Sequence, residues 1–220
     1  MPGRLLFSAI GQQLRCPRGP AGRVVGLLMR VVNVRPNALA VAALRLQPGD
    51  EVLELGCGPG HAVSMMVARV RGGAIHAVDP SPTMLAQARK RNRGAIRTGR
   101  VRLYRAQAEQ LPFADGSMDK VLAVNVAYFW RDPAAALGEI RRVLRSTGIL
   151  SIYVTDASTM RQWAFAGADT HRLFGREELA RWLHEAALDD DCTITAVRIT
   201  ARITGFVVAA TTSPSPDVPA

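Results

Sequence analysis

The chain is predicted to be an α/β protein, a doubly wound and mostly parallel sheet with helices on both faces. Three observations predict it. Short apolar runs alternate with stretches of helical spacing, as in a parallel sheet built from strand–helix units. A glycine-rich loop follows the first of these runs directly. The last two runs, 193–199 and 205–210, have too little chain between them for a crossover helix, so they should pair antiparallel.

The segment before the first strand is helical by the same test. Residues 22–32 carry Val24, Val25, Leu27, Leu28, Val31 and Val32 on a broad apolar face. Asn37 after Pro36 reads as an N-cap opening a second helix, 37–46, which Pro48-Gly49-Asp50 ends in a turn. A basic amphipathic segment lying on a membrane is the other way to use such a stretch.

The first strand and its loop organise the rest. Val52, Leu53 and Leu55 end at Gly56, Gly58 and Gly60, and helical spacing resumes over 61–71. Glycine takes positive φ and has no Cβ, so a ligand can approach the backbone there. Strand, glycine loop and helix open a nucleotide-binding sheet, with free N–H groups at the helix start. A dinucleotide fingerprint reads G-x-G-x-x-G. Here the third glycine comes one place early, and His61 stands where the fingerprint needs it.

The second strand, 74–78, ends in Asp79. An acid at that tip can accept both ribose hydroxyls of an adenosine cofactor. The plainer alternative is a turn or helix-capping acid before Pro80. Ser81-Pro82 starts the next helix, which runs through Met84, Leu85 and Ala88. A third strand follows at 100–104 and a fourth at 120–126. Asp132-Pro133 starts a helix through Leu144, Ser146-Thr147-Gly148 ends it, and 149–154 is a fifth strand. Residues 176–187 form one more helix.

Composition bounds the function classes. At 220 residues and 48% hydrophobic, the chain can bury a substantial core. No apolar run approaches the roughly 18 residues of a membrane span, and no signal peptide is read. The three cysteines, Cys16, Cys57 and Cys192, are scattered. They suggest a reducing compartment, hence a cytoplasmic protein, with no disulfide framework or zinc site.

The net charge is +10, and all basic residues but Lys90 and Lys120 are arginine. One cluster, from Arg89 to Arg105, holds no acid. It reads as a solvated face that begins where cations complement a helix C-terminus, in preference to a polyanion patch.

The spacing G-x-G-x-G after Glu54 resembles motif I of class I methyltransferases that use S-adenosylmethionine. The stretch 111–150 is more specific. It contains L-P-F-A-D-G-S-M-D and then D-P-A-A-A-L-G-E-I-R-R-V-L-R-S-T-G, which is similar to the middle of the same family. The resemblance implies a seven-stranded sheet of order 3-2-1-4-5-7-6 with the last strand antiparallel. It implies S-adenosylmethionine as cofactor, with Gly56, Gly58 and Gly60 at its methionine part, Asp79 at the ribose and Glu54 also among the cofactor-binding residues. Ala108 and Glu109 would frame adenine, and Asn125 would sit beside the transferred methyl. Gln107 stands where the family often has an acid, and its amide oxygen can accept in its place. Ser146-Thr147 replaces the usual Pro-Gly, which should affect only a turn.

The acceptor site is expected just beyond Asn125. Tyr128, Phe129 and Trp130 follow it, in a chain only 5% aromatic, and plain packing is their alternative role. His171, with Trp163, Phe165 and Phe174, is expected to complete the pocket. His61 is read as the first helical residue beside the cofactor, with a general base as its alternative role, and Cys57 as a small turn-compatible residue without chemistry of its own.

The expected activity is methyl transfer to a small-molecule acceptor of metabolite, lipid or quinone type. One rival is a nucleic-acid methyltransferase, whose Asn-Pro-Pro-Tyr motif Asn125-Val126-Ala127-Tyr128 echoes at its ends alone. The other is a cofactor-binding protein without transfer activity. The expected organisation is a helical cover over 1–48, the sheet domain over 49–211 and a disordered tail over 212–220.

Overall fold

A computed structural model describes residues 11, 13–167, 170–188 and 191–211. Its seven strands stand in the order β3-β2-β1-β4-β5-β7-β6. They are β1 (Val52–Leu55), β2 (Ile75–Val78), β3 (Val101–Tyr104), β4 (Met118–Val124), β5 (Leu144–Thr155), β6 (Asp191–Arg198) and β7 (Thr204–Thr211). The first five pair parallel, and β7 is antiparallel to both neighbours. This is the sheet expected from the sequence.

Beyond helical residues at 11 and 13–15, the helices around it are α1 (Gly19–Val32), α2 (Val34–Ala43), α3 (His61–Val67), α4 (Pro82–Arg91), α5 (Arg93–Arg97), α6 (Pro133–Val143), α7 (Ala157–Met160) and α8 (Arg176–Glu185). Two buried clusters lie on the two faces of the sheet. Leu53 and Leu55 pack with Leu137 and Ile140 of α6 and with Leu179 and Leu183 of α8. Val52 packs with Ala40 and Val41 of α2, with Val63 and Met66 of α3 and with Leu85 of α4. Side chains alternate across a strand, so β1 serves both clusters, and Glu54 turns to the face that Val52 covers.

The starts of two helices follow their sequence signals. Ser81 Oγ accepts from Met84 N at 3.2 Å, and Asp132 Oδ1 accepts from Ala135 N at 3.1 Å, each with proline next. Such caps satisfy N–H groups that the helix leaves open.

Several boundaries differ from expectation. The first helix begins at Gly19, three residues before the 22 expected. Asn37 is not an N-cap. The second helix starts at Val34, Asn37 N donates to Asn33 O at 2.9 Å, and Asn37 is buried inside it. Pro36 fits because its missing N–H falls in the first turn, where it has no helical partner. The helix stops at Val143 and Leu144 already pairs with Met118 of β4, but residues 145–148 have no partner there, and pairing resumes with Ile149 against Lys120. A Cβ on Gly148 would lie 3.2 Å from Leu144 Cβ, so the chain doubles back at Ser146-Thr147-Gly148 as expected. The fourth strand ends at Val124, so Asn125 lies just beyond it. The short helix α5 lies in the arginine cluster and had not been foreseen. The expected tail, 212–220, lies outside the described residues.

No helix among the described residues is long and apolar enough to cross a membrane.

Candidate functional site

A cavity of about 300 Å³ opens beyond the carboxyl ends of β1, β2 and β4. In open parallel sheets this is the edge where ligands bind. The loop after β1 forms its floor. Gly56 and Gly58 have φ of +63° and +50°. A Cβ on Gly56 would lie 2.4 Å from Val126 Cγ2, whereas one on Gly58 would meet nothing within 4 Å. Gly56 therefore lets β4 come close, and Gly58 leaves bare backbone on the cavity wall. Gly60 does not line the cavity. A Cβ there would meet Asn92 Nδ2 at 2.6 Å, so its place is against the helix that carries Asn92.

Asp79 binds the loop to the second strand. Its Oδ2 accepts from Gly58 N at 2.8 Å and its Oδ1 from Ser81 N at 2.8 Å. The side chain is buried yet lines the cavity. Burial pushes its carboxyl up to about 6 against the pull of those two N–H groups. Glu54 is 4% exposed, lines the same cavity, and has no hydrogen-bond partner at Oε2. Burial, with the Asp79 charge second, pushes its carboxyl up to about 8. A buried carboxylate with an open oxygen fits a cation.

Gln107, Ala108 and Glu109 follow β3 into the lining. Glu109 Oε1 accepts from Arg131 N at 2.7 Å, closing that side. Asn125 has φ +54°, which asparagine tolerates better than most residues. Its Oδ1 accepts from Tyr128 Oη at 2.8 Å and Thr155 Oγ1 at 3.3 Å, and its Nδ2 donates to Asn33 Oδ1 at 2.9 Å.

The aromatic run divides. Phe129 and Trp130 line the cavity. Tyr128 does not: it is 6% exposed, and its hydroxyl turns back to Asn125 and to Thr155 N. His171 does not line it either. It stands behind Phe129 at a ring distance of 4.9 Å, and burial holds its imidazole down at about 4. The short 3-10 turn Ala127–Phe129 causes the division, because successive side chains on it point in different directions. Trp130 is backed by Trp182, stacked at 6.2 Å.

Sequence reasoning missed the residues supplied from before β1. Arg15, Pro17, Arg18, Met29, Asn33 and Asn37 all line the cavity. Ser81 Oγ donates to Pro17 O and holds the start of this segment over the tip of β2. No motif marks them, since contacts far along the chain hold them, with Ser81 64 residues from Pro17 and Asn125 92 residues from Asn33.

Comparison with known proteins agrees with this geometry. A family model described as a methyltransferase domain matches residues 53–152, from β1 through most of β5. The match supports a class I S-adenosylmethionine-dependent methyltransferase. The chain is 29% identical to the uncharacterized methyltransferase YdaC of Bacillus subtilis, over 71% of this chain and 82% of YdaC. A malonyl-[acyl-carrier protein] O-methyltransferase of Halorhodospira halophila is 32% identical over 67% of this chain and 50% of its own length. This methyltransferase spans 32% to 64% of the length of seven curated relatives beyond YdaC. Among solved structures, the putative methyltransferase bound to the Haloferax volcanii activator Trm112 is 21% identical, with a TM-score of 0.72 over 86% of this chain and 94% of that one. At that identity the likeness is one of fold.

Proposed function

We propose that this methyltransferase moves a methyl group from S-adenosylmethionine to a small, largely apolar acceptor. The observation that carries the reading is the sharing of one cavity by Glu54, Asp79 and Asn125 with the aromatic rings of Phe129 and Trp130. The residues fit the cofactor. Glu54 has an unpartnered buried oxygen for a cationic group, Gly58 leaves room against the backbone, and Asp79 would offer its carboxylate to the ribose. Gln107, Ala108 and Glu109 would border the adenine. When bound, S-adenosylmethionine supplies an electrophilic methyl carried on a sulfonium.

The protein's own part is then alignment and exclusion of water. Phe129, half-buried against His171, offers a ring wall for an apolar acceptor. The segment from Leu14 to Arg18 and the residues Met29, Asn33 and Asn37 border the same cavity, which supports a covering role for the N-terminal helices. Malonyl-[acyl-carrier protein] and other O-methyltransferases among the relatives support small-molecule chemistry. The test is an untargeted metabolite screen with labelled S-adenosylmethionine and purified protein. Label appearing in a small apolar product supports the reading, and label appearing only in nucleic acid refutes it.

A further inference from the structure

The carboxamides of Asn125 and Asn33 have a polarity that backbone hydrogen bonding sets. The N–H of Thr155 can only donate, and its acceptor is the Tyr128 hydroxyl oxygen. The hydroxyl hydrogen of Tyr128 is therefore free to go elsewhere, and it meets the Asn125 carboxamide at 2.8 Å. The atom it meets must accept, so it is Oδ1. Thr155 Oγ1, at 3.3 Å, occupies a second site on that oxygen. The opposite atom of the Asn125 amide is then Nδ2, and it donates to Asn33 at 2.9 Å. The Asn33 atom must in turn accept, which leaves Asn33 Nδ2 as a donor.

The direction of every bond in this chain follows from one backbone N–H. Asn125 Oδ1 accepts twice within it, and Asn33 Oδ1 accepts once. The donors that remain for the cavity are the second hydrogen of Asn125 Nδ2 and those of Asn33 Nδ2, which no described residue accepts. Asn33 and Asn125 both line the cavity, as does Glu54, whose open oxygen can only accept when ionised. An acceptor and a set of donors in one cavity match an amino-acid head group, with its ammonium and its carboxylate.

We propose that Asn33 and Asn125 form the carboxylate subsite for the methionine head group of the cofactor, and that Tyr128 is the positioning residue that fixes their polarity. The inference rests on the S-adenosylmethionine reading above. It gives Asn33, at the junction of α1 and α2, a binding role, and it explains why the Tyr128 ring is buried while its hydroxyl turns back toward the cavity wall. It also makes the N-terminal segment a direct sensor of cofactor occupancy, since Asn33 is the residue between its two described helices.

Two ligands separate this from a structural role. S-adenosylhomocysteine carries the head group, and 5′-methylthioadenosine lacks it. Calorimetry with both is made on the wild type and on Asn33→Asp, which keeps the shape and removes the donors. Asn33→Asp is expected to weaken S-adenosylhomocysteine tenfold or more and to leave 5′-methylthioadenosine within twofold. Asn33→Ala and Tyr128→Phe should show the same selectivity with smaller losses. Equal weakening of the two ligands, or a change under threefold for S-adenosylhomocysteine in both Asn33 variants, overturns the inference. A wild type that binds S-adenosylhomocysteine no better than 5′-methylthioadenosine also overturns it. If the wild type binds neither ligand, the underlying cofactor reading fails first.

Discussion

The carboxylate of Asp79 and the backbone N–H of Gly58 meet at 2.8 Å, joining the tip of the second strand to the loop after the first. The other carboxylate oxygen accepts from Ser81 N. One acid thus fixes the glycine loop and the start of the next helix, and it retains lone pairs directed to the cavity.

Replacing it tests both duties. Asp79→Ala should weaken S-adenosylmethionine by about 1–3 kcal/mol, the usual cost of losing a charged acceptor. Calorimetry on the purified variant measures this. An affinity within twofold of the wild type would leave Asp79 as a turn residue only.

The buried acids set a pH dependence. Glu54 is raised to about 8 and Asp79 to about 6 in the folded protein, above the ordinary carboxyl range of the unfolded chain. Between about pH 4 and about pH 8 the folded protein holds protons that the unfolded chain has released. These two groups therefore make the ligand-free protein less stable as pH rises through that window. Glu54→Gln removes the upper part of the effect. Urea unfolding at pH 5 and pH 8 should show a smaller loss of stability in Glu54→Gln than in the wild type. Equal losses would contradict the assignment.

Two alanine substitutions in the loop should behave differently. Gly58→Ala carries only the left-handed backbone cost, about 1–2 kcal/mol. It should remain folded and bind S-adenosylmethionine at least tenfold more weakly, because its methyl would project into open space on the cavity wall. Gly56→Ala adds overlap with Val126, for about 1–3 kcal/mol more. Thermal unfolding should therefore rank Gly56→Ala well below Gly58→Ala. The reverse order would mean that the loop does not pack as described.

The neighbouring aromatics should separate in the same manner. Phe129→Ala is expected to lower turnover on the true acceptor by tenfold or more while S-adenosylmethionine affinity stays within twofold. Tyr128→Phe leaves the buried Thr155 N–H without its acceptor, which should cost about 1–3 kcal/mol of stability. Turnover by the folded fraction and unfolding free energy, measured together, distinguish the two. A stability loss in Phe129→Ala with normal turnover would move Phe129 into the core.

Deleting residues 1–32 should leave a folded sheet that retains cofactor poorly. Ala40, Val41 and Leu44 are fully buried with Val52 and Val63, so α2 must be kept. The segment before it borders the cavity through Arg15, Pro17, Arg18 and Met29. Far-ultraviolet circular dichroism and calorimetry on the shortened chain provide the check. Failure to fold would make α1 part of the core.

The sheet was legible because its cues are local. An apolar run that ends in glycine, or a serine before proline, acts within a few residues, and the cofactor-side candidates Glu54, Asp79 and Asn125 fall at strand ends for the same reason. The boundary errors have local causes too. Asn37 carries the chemistry of a cap, yet burial of Ala40 and Val41 against the sheet draws the helix start back to Val34. At the fifth strand, Leu144 already pairs with Met118 of β4, so the strand is entered before Ser146-Thr147-Gly148, which bulges out of the pairing. At Val34 packing overrode propensity.

Taken alone, the order of residues determined which segments become strands and which acids and glycines fall at their carboxyl ends. Periodicity and turn chemistry suffice for that, because each acts along the chain, whereas the order in which the strands stand came from the family resemblance. Only the tertiary structure decided which side chains face the cavity. Tyr128 and Phe129 are neighbours of similar type, and a single 3-10 turn sends one inward to Asn125 and the other to the cavity wall. Asn33 carries no sequence signal at all. Its place opposite Asn125, 92 residues away, exists only once the N-terminal helices have packed on the sheet. A hydrogen bond between residues so far apart is a property of the folded surface, and no periodicity along the chain encodes it.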